Sequence, residues 1–231
     1  MISITKMWEI LTSKFSIFME GTAVTLKLAL FTVCIGFLIG LVVAVFRNTR
    51  IAPLRWLMNA YVAFIRGTPL LVQVLLIVYG LPQLGLNRIG AYKLTKYDMC
   101  LIALGINSGA YMAELIRAGL QSVDHGQAEA ADSLGMSGFQ KLLYVILPQA
   151  VKVILPTMGN EFVAIIKESS VLYSVGVYEL TYQANKLASV NFRYLETMLD
   201  LSIIYFVLTF VATKLLDLLE RRMRRSERKA A

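Results

Sequence analysis

The chain has little of what hydrolytic and redox enzymes are built from. Its 231 residues include one histidine, His125, and two cysteines, Cys34 and Cys100. His125 lies in a polar segment away from any serine in an apolar run, which argues against serine–histidine hydrolysis and reads as a solvated loop residue. The two cysteines fall in separate apolar runs, have no metal-ligand spacing, and read as small apolar packers. No Gly-x-x-x-x-Gly-Lys-Ser/Thr phosphate loop occurs, so ATP hydrolysis by that device is not expected in this chain. No internal repeat is visible, which argues against a secondary transporter built on inverted repeats. No cleavable signal peptide is evident, because the first apolar run starts near Thr22 without a small-residue cleavage site after a short core. Charge is scarce too: 16% of residues are charged and 57% hydrophobic. With a mean hydropathy of +0.64, that is too little charge for a soluble domain of this length.

What the chain does have is long apolar runs. Several approach the ~20 residues that a helix needs to cross ~30 Å of hydrocarbon, and they are too continuous for the short alternating strands of a barrel. The fold expected is an all-α integral membrane protein, a single domain over residues 1–231. Spans are expected at about 22–46, 61–80, 97–119, 146–168 and 197–219. Ahead of them, Trp8, Leu11, Phe15 and Phe18 recur at three- and four-residue steps among Lys6, Glu9 and Lys14. That pattern predicts an interfacial amphipathic helix over 4–20, broken by Gly21 and Thr22.

The net charge of +8 is not that of a nucleic-acid binder. Much of it sits in Arg221, Arg222, Arg224, Arg225, Arg228 and Lys229, after the last apolar run. Arg47, Arg50 and Arg55 follow the first run, and Arg117 and Lys141 flank the third loop. The positive-inside rule puts these segments in the cytoplasm, with the N-terminus outside and the C-terminus inside. Arg88, Lys93, Lys96, Lys186 and Arg193 fall on the outer side and oppose this bias.

The segment 121–145 is long, polar and Gly-marked between two apolar helices, which points to a second protein that grips it from the aqueous side. Gln127 to Leu134 is rich in helix formers, and Gly135 can end that helix in a left-handed cap. Phe139 to Leu147 then restarts a helix that leads to Pro148. Glu129, Ala130, Ala131, Gly135, Leu147 and Pro148 stand at the spacings of the EAA loop of permease subunits of ABC-type importers, with Val145 at that pattern's isoleucine position. Tyr111, Glu114, Arg117, Gly119 and the run Arg66-Gly67-Thr68-Pro69-Leu70-Leu71-Val72-Gln73 resemble the polar amino acid branch of that family.

The resemblance implies a type I ABC importer-like permease in a bacterial inner membrane. It implies that the 121–145 loop is a coupling helix seated in a groove of a separate ATPase, with Glu129, Ala130, Ala131 and Gly135 as the coupling residues. It implies as partners two ATP-binding cassette subunits, a second permease copy or a paralogous permease, and an extracytoplasmic amino acid-binding protein. ATP and magnesium would then belong to the ATPase, and no catalytic or metal-binding residue is expected in this chain. The competing reading is an ATP-independent secondary transporter or channel.

Charge inside the bilayer marks the candidate path. If Pro148 starts the fourth span, Glu161 lies on the order of 20 Å into the membrane. A carboxylate there costs at least ~2.5 kcal/mol on insertion scales, so it needs a cavity or a partner. Asn160 precedes it, Gly159 permits close approach, and Pro156 is expected to break the helix. Glu161 and Asn160 therefore read as a polar pocket in the path; the alternative is a Glu161 paired to another span, for example to Arg66. Thr68 and Gln73 are further path candidates. Asn107, Ser108, Gly109 and Ala113 read as a small-residue packing stripe, and Glu114 as a partner for Arg117. Lys167-Glu168-Ser169-Ser170 is either part of an outer gate or a helix end. An anionic Glu161 favours a cationic substrate such as arginine, lysine or histidine. If it reads only the α-ammonium, a neutral polar amino acid fits as well.

Overall fold

The computed structural model describes residues 4–228, and the side chains of residues 5–221. Lys229 and the side chains of Arg222, Arg224, Arg225 and Arg228, on which the basic-tail expectation partly rests, lie outside the described residues. The helices are α1 (Ile4–Ser13) and α2 (Phe15–Arg47), then α3 (Ala52–Gly67) and α4 (Leu70–Gln83). They continue with α5 (Lys96–Gln121) and α6 (His125–Ser133), then α7 (Gly138–Val175), α8 (Leu180–Asn191) and α9 (Tyr194–Arg228). A two-residue antiparallel hairpin, Arg88–Ile89 with Tyr92–Lys93, lies between α4 and α5. Among the described residues, four helices are long and apolar enough to cross a membrane, or five if the bent pair α3–α4 is one span.

The first expected break is misplaced. The helix interrupts at Lys14 (φ −115°, ψ 18°), and α2 then runs 33 residues straight through Gly21 and Thr22. Gly21 is there for proximity: a Cβ would lie 2.8 Å from Leu180 Cα. Thr22 bonds back to Phe18 O at 2.8 Å and leaves the helix intact.

The second expected span, 61–80, is not one rod. α3 and α4 meet at 109°. Pro69 has no N–H to continue a helix and drives the preceding Thr68 into extended backbone, φ −121°, ψ 147°. Carbonyls opened by the bend find a donor in Gln73, whose Nε2 bonds Ile65 O at 2.8 Å and Thr68 O at 3.1 Å.

Two other prolines sit inside helices without breaking them. The N–H of Leu81 bonds Leu76 O, and that of Leu147 bonds Leu142 O. Each is a π-type i→i−5 turn that ends just before a proline, Pro82 or Pro148. A proline ring clashes with the carbonyl four residues back, and a widened turn moves that carbonyl away. The helix expected to restart at Phe139 is therefore continuous with the fourth span as α7. Pro156 is likewise absorbed within the α-helical stretch Leu147–Glu168, and the break expected there is absent.

α2 and α5 cross closely through glycines on both sides. A Cβ on Gly36 would lie 2.4 Å from Ser108 Oγ, and one on Gly40 2.5 Å from Met112 Cβ and 2.8 Å from Ala113 N. In return, Gly105 and Gly109 meet Ile35 and Ile39, whose Cγ2 atoms would lie 2.6 and 2.5 Å from an added Cβ. Ser108, Gly109 and Ala113 of the expected stripe are buried in this contact, as small-residue helix packing requires, whereas Asn107, also buried, turns to Gln73 of α4.

At the other end of α2, Thr25 Oγ1 accepts from Leu180 N at 3.2 Å. Glu179 caps α8 there, accepting from Thr181 N at 2.8 Å, Tyr182 N at 2.7 Å and Tyr205 OH at 3.2 Å. It is fully buried, and that burial pushes its carboxyl up to about 7.

Candidate functional site: a surface helix tied to two spans

α6 is short and amphipathic only weakly, so its ends hold it. At the start, Asp124 Oδ1 accepts from Gly126 N at 2.7 Å. At the end, Met136 N–H bonds Ala131 O at 3.1 Å and Gly135 N–H bonds Asp132 O at 3.0 Å. That pair of bonds is a Schellman closure, and it requires the left-handed backbone that Gly135 supplies, φ 73°. Ser137 and Gln140 then form a reciprocal capping box that starts α7. Lys141 Nζ contacts both oxygens of Asp132 at 2.7 and 2.8 Å, which ties the beginning of α7 to the end of α6.

Glu129 and Ala130 face solvent, and His125, at the first position of α6, is exposed. Ala131 is 3% exposed, on the side of α6 that packs against the π-turn of α7. Of the expected coupling residues Glu129, Ala130 and Ala131, the last belongs to the inner contact, because a nine-residue helix lying on another must turn one side toward it. Leu134 is 81% exposed and Phe139 72% exposed. Two large apolar side chains thus project from an otherwise polar segment.

The last turns of α5 are tied to α2 by charge. Glu114 binds Arg117 on its own helix, takes Arg47 Nη1 of α2 at 2.6 Å, and lies 4.0 Å from Arg66 Nη1 of α3. The sequence pairing of Glu114 with Arg117 is present. Its bond to Arg47 spans 67 positions, and no local spacing signals it. Arg66 sits at Glu114, which overturns the alternative that it pairs with Glu161.

Glu161 is half-buried on α7 and Asn160 is exposed. Glu161 faces Ser108 of α5, whose buried hydroxyl makes no hydrogen bond of normal geometry. Glu168 follows two turns later. Gly159, expected to admit close approach in the path, is packed against α9: a Cβ would lie 2.6 Å from Leu216 Cδ2. Thr68 and Gln73 are brought together, but at the bend. Gln73 Nε2 reaches Thr68 Oγ1 at 2.8 Å, and its Oε1 accepts Asn107 Nδ2 at 2.9 Å. With Gln73 5% exposed, this is an internal brace of the α3–α4 corner.

Gly109 reads as packing from the sequence, but its partners at the α2–α5 crossing, Gly36, Gly40 and Gly105, escaped the sequence reading, although Gly36-x-x-x-Gly40 and Gly105-x-x-x-Gly109 carry the small-residue spacing that signals helix contact.

A bent multi-span bundle that carries a capped surface helix between two spans is the architecture of a membrane permease component. The chain belongs to the family of binding-protein-dependent transport system inner membrane components, which its residues 36–225 match. It is 40% identical over 216 residues to the probable amino-acid permease protein YxeN of Bacillus subtilis (strain 168), covering 94% of this chain and 95% of that one. It is 39% identical over 218 residues to the probable glutamine ABC transporter permease protein GlnM of the same organism, covering 94% and 98%. Among solved structures, a chain in the crystal structure of an amino acid ABC transporter with histidines superposes with a TM-score of 0.87 at 44% identity, covering 96% of this chain and 99% of that one.

Proposed function

We propose that this chain is the membrane-spanning subunit of an ATP-driven importer of cationic or polar amino acids, with arginine, lysine or histidine favoured. α6 docks in a groove of a separate ATPase. Two such ATPase subunits, carrying the ATP and magnesium, act on a pair of permeases: two copies of this chain, or this chain and a paralogue. An extracytoplasmic amino acid-binding protein delivers the substrate. The N-terminus lies outside and the C-terminus, with α6, in the cytoplasm.

The observation that carries this reading is α6 itself, an exposed helix with the EAA spacing, capped at both ends and joined to spans on both sides. Force applied to such an element has somewhere to go. α6 connects to α5 through residues 122–124 and to α7 through Lys141–Asp132. α7 is one continuous helix from there past the level of Glu161. A displacement of α6 by the ATPase is therefore delivered at Glu161 as a movement of a stiff rod. The Glu114–Arg47 bond gives α5 a fixed footing on α2, so that α7 moves relative to α5.

Glu161 and Glu168 put two carboxylates on one side of α7, and a substrate ammonium or guanidinium beside Glu161 offsets the penalty of a charge at that depth. Glu161→Gln preserves shape and removes charge. Since a charge-assisted bond contributes ~1.5–3 kcal/mol, uptake of arginine in vesicles holding the assembled complex is expected to fall by one to two orders of magnitude. Glutamine uptake is expected to fall less. An unchanged ratio of arginine to glutamine uptake, normalised to assembled complex, removes the selectivity role. Uptake that persists without ATP removes the importer itself.

A further inference from the structure

We infer that the end of the α2–α3–α5 junction on the α6 side binds the phosphodiester of an anionic phospholipid. A cavity of about 300 Å³ opens there, walled by Arg47 and Asn48 at the end of α2, Asn59 of α3, and Arg117 and Gln121 at the end of α5. Its hydrogen bonds share one polarity. Asn59 turns its amide oxygen to Arg47 Nε at 2.7 Å, and Gln121 turns its amide oxygen to Arg117 Nη1 at 2.5 Å. Among the described residues, the amide nitrogens of Asn59 and Gln121 have no hydrogen-bond partner, and neither does Arg47 Nη2. With their acceptors engaged, the walls present N–H donors, the complement of an acceptor-rich anion.

Charge agrees in sign. Arg47 and Arg117 line the cavity, and the single carboxylate that they share, Glu114, has Arg66 at 4.0 Å on a further side, so the cluster carries a net positive charge.

Depth selects a lipid as the source. Ile51, Trp56 and Leu57, at the start of α3, are exposed apolar side chains, and an exposed tryptophan beside arginines is found at the membrane–water boundary. Farther from the ends of the same helices, Leu38, Val42, Tyr61 and Ile106 bound a groove with almost no polar surface, a match for an acyl chain. Basic pockets between spans at the cytoplasmic surface have the chemistry that holds anionic headgroups. The site does not depend on what the protein transports.

The test uses the full-length protein in detergent, with any subunits that accompany it, and native mass spectrometry. The probes are dioleoyl-phosphatidylglycerol and dioleoyl-phosphatidylcholine. The protein is expected to retain phosphatidylglycerol over phosphatidylcholine by about tenfold or more. Asn59→Asp combined with Gln121→Glu turns donors into acceptors while still accepting from Arg47 and Arg117, so the preference is expected to vanish with thermal stability kept. Asn48→Asp adds charge to the cavity without touching that network and is expected to weaken the preference in the same direction. Equal retention of the two lipids, or a preference untouched in both variants, overturns the proposal. Complete displacement of phosphatidylglycerol by millimolar inorganic phosphate assigns the cavity to a soluble anion and overturns the lipid. Loss of an accompanying subunit from the variants with lipid preference intact assigns it to an acidic protein surface and overturns it too.

Discussion

Glycine serves the α2–α5 crossing and the end of α6 for opposite reasons. At the crossing no space exists: an added Cβ on Gly40 meets Met112 Cβ at 2.5 Å and the backbone nitrogen of Ala113 at 2.8 Å. At Gly135 an added Cβ meets nothing within 4 Å, and the requirement is the left-handed φ of 73°. The difference separates two kinds of construction in one chain. The crossing is a frame fixed by contact, in which backbone touches backbone. The surface helix is held by conformation and a few hydrogen bonds, with its outer side left open. On the proposed coupling, an element that fits a partner needs an open face, and a frame that resists the partner's push needs none.

That contrast sets the size of each expected effect. Gly40→Leu forces atoms into backbone that cannot give way, and it is expected to cost more than about 3 kcal/mol, read as loss of folded protein in detergent. A variant of normal yield and melting temperature there would erase the distinction. A second handle on the frame is Glu179, buried where α2, α8 and α9 meet. Its folded-state carboxyl titrates near 7 against an ordinary 4.5, so the folded protein holds this proton more tightly than the unfolded chain. Its stability contribution is therefore greatest below pH ~4.5, falls as pH rises toward ~7, and is flat above; the loss is roughly 3 kcal/mol. Glu179→Gln is expected to remove that slope from the melting temperature. A slope equal in variant and parent would show that another group carries it. The smallest effect on stability belongs to the surface helix. Gly135→Val is expected to cost about 1–2 kcal/mol for its left-handed backbone, and Gly135→Asn less. Substrate-stimulated ATPase activity is expected to fall further than stability does, because the helix end is re-aimed. Unaltered stimulation in Gly135→Val would break the link between cap and coupling.

The sequence was most informative where structure is local. The helix formers from Gln127, with Gly135 beyond them, predicted a helix over 127–134; the helix observed is His125–Ser133, two residues earlier because Asp124 supplies the cap. Local rules misled where a neighbour decides. Gly21 read as a breaker, yet it is there because another helix, at Leu180, comes too near for a Cβ; the close approach expected at Gly159 is made by Leu216 of α9 rather than in the path. Pro156 read as a break, but the helix accommodates it. The Arg47–Glu114 bond and the inward turn of Ala131 depend on tertiary packing that no spacing in the chain encodes.

On the proposed coupling, α6 offers one face to an ATPase and the other to α7. Single cysteines at Ala130 and at Ala131, in a background lacking Cys34 and Cys100, test this with a short thiol-to-amine crosslinker in native membranes. The exposed position 130 is expected to crosslink to an ATP-binding subunit, and position 131, 3% exposed against the body of the permease, is expected not to. Equal crosslinking from both positions, or a partner captured from 131 alone, would contradict the orientation; no ATP-binding subunit captured from either would contradict the coupling.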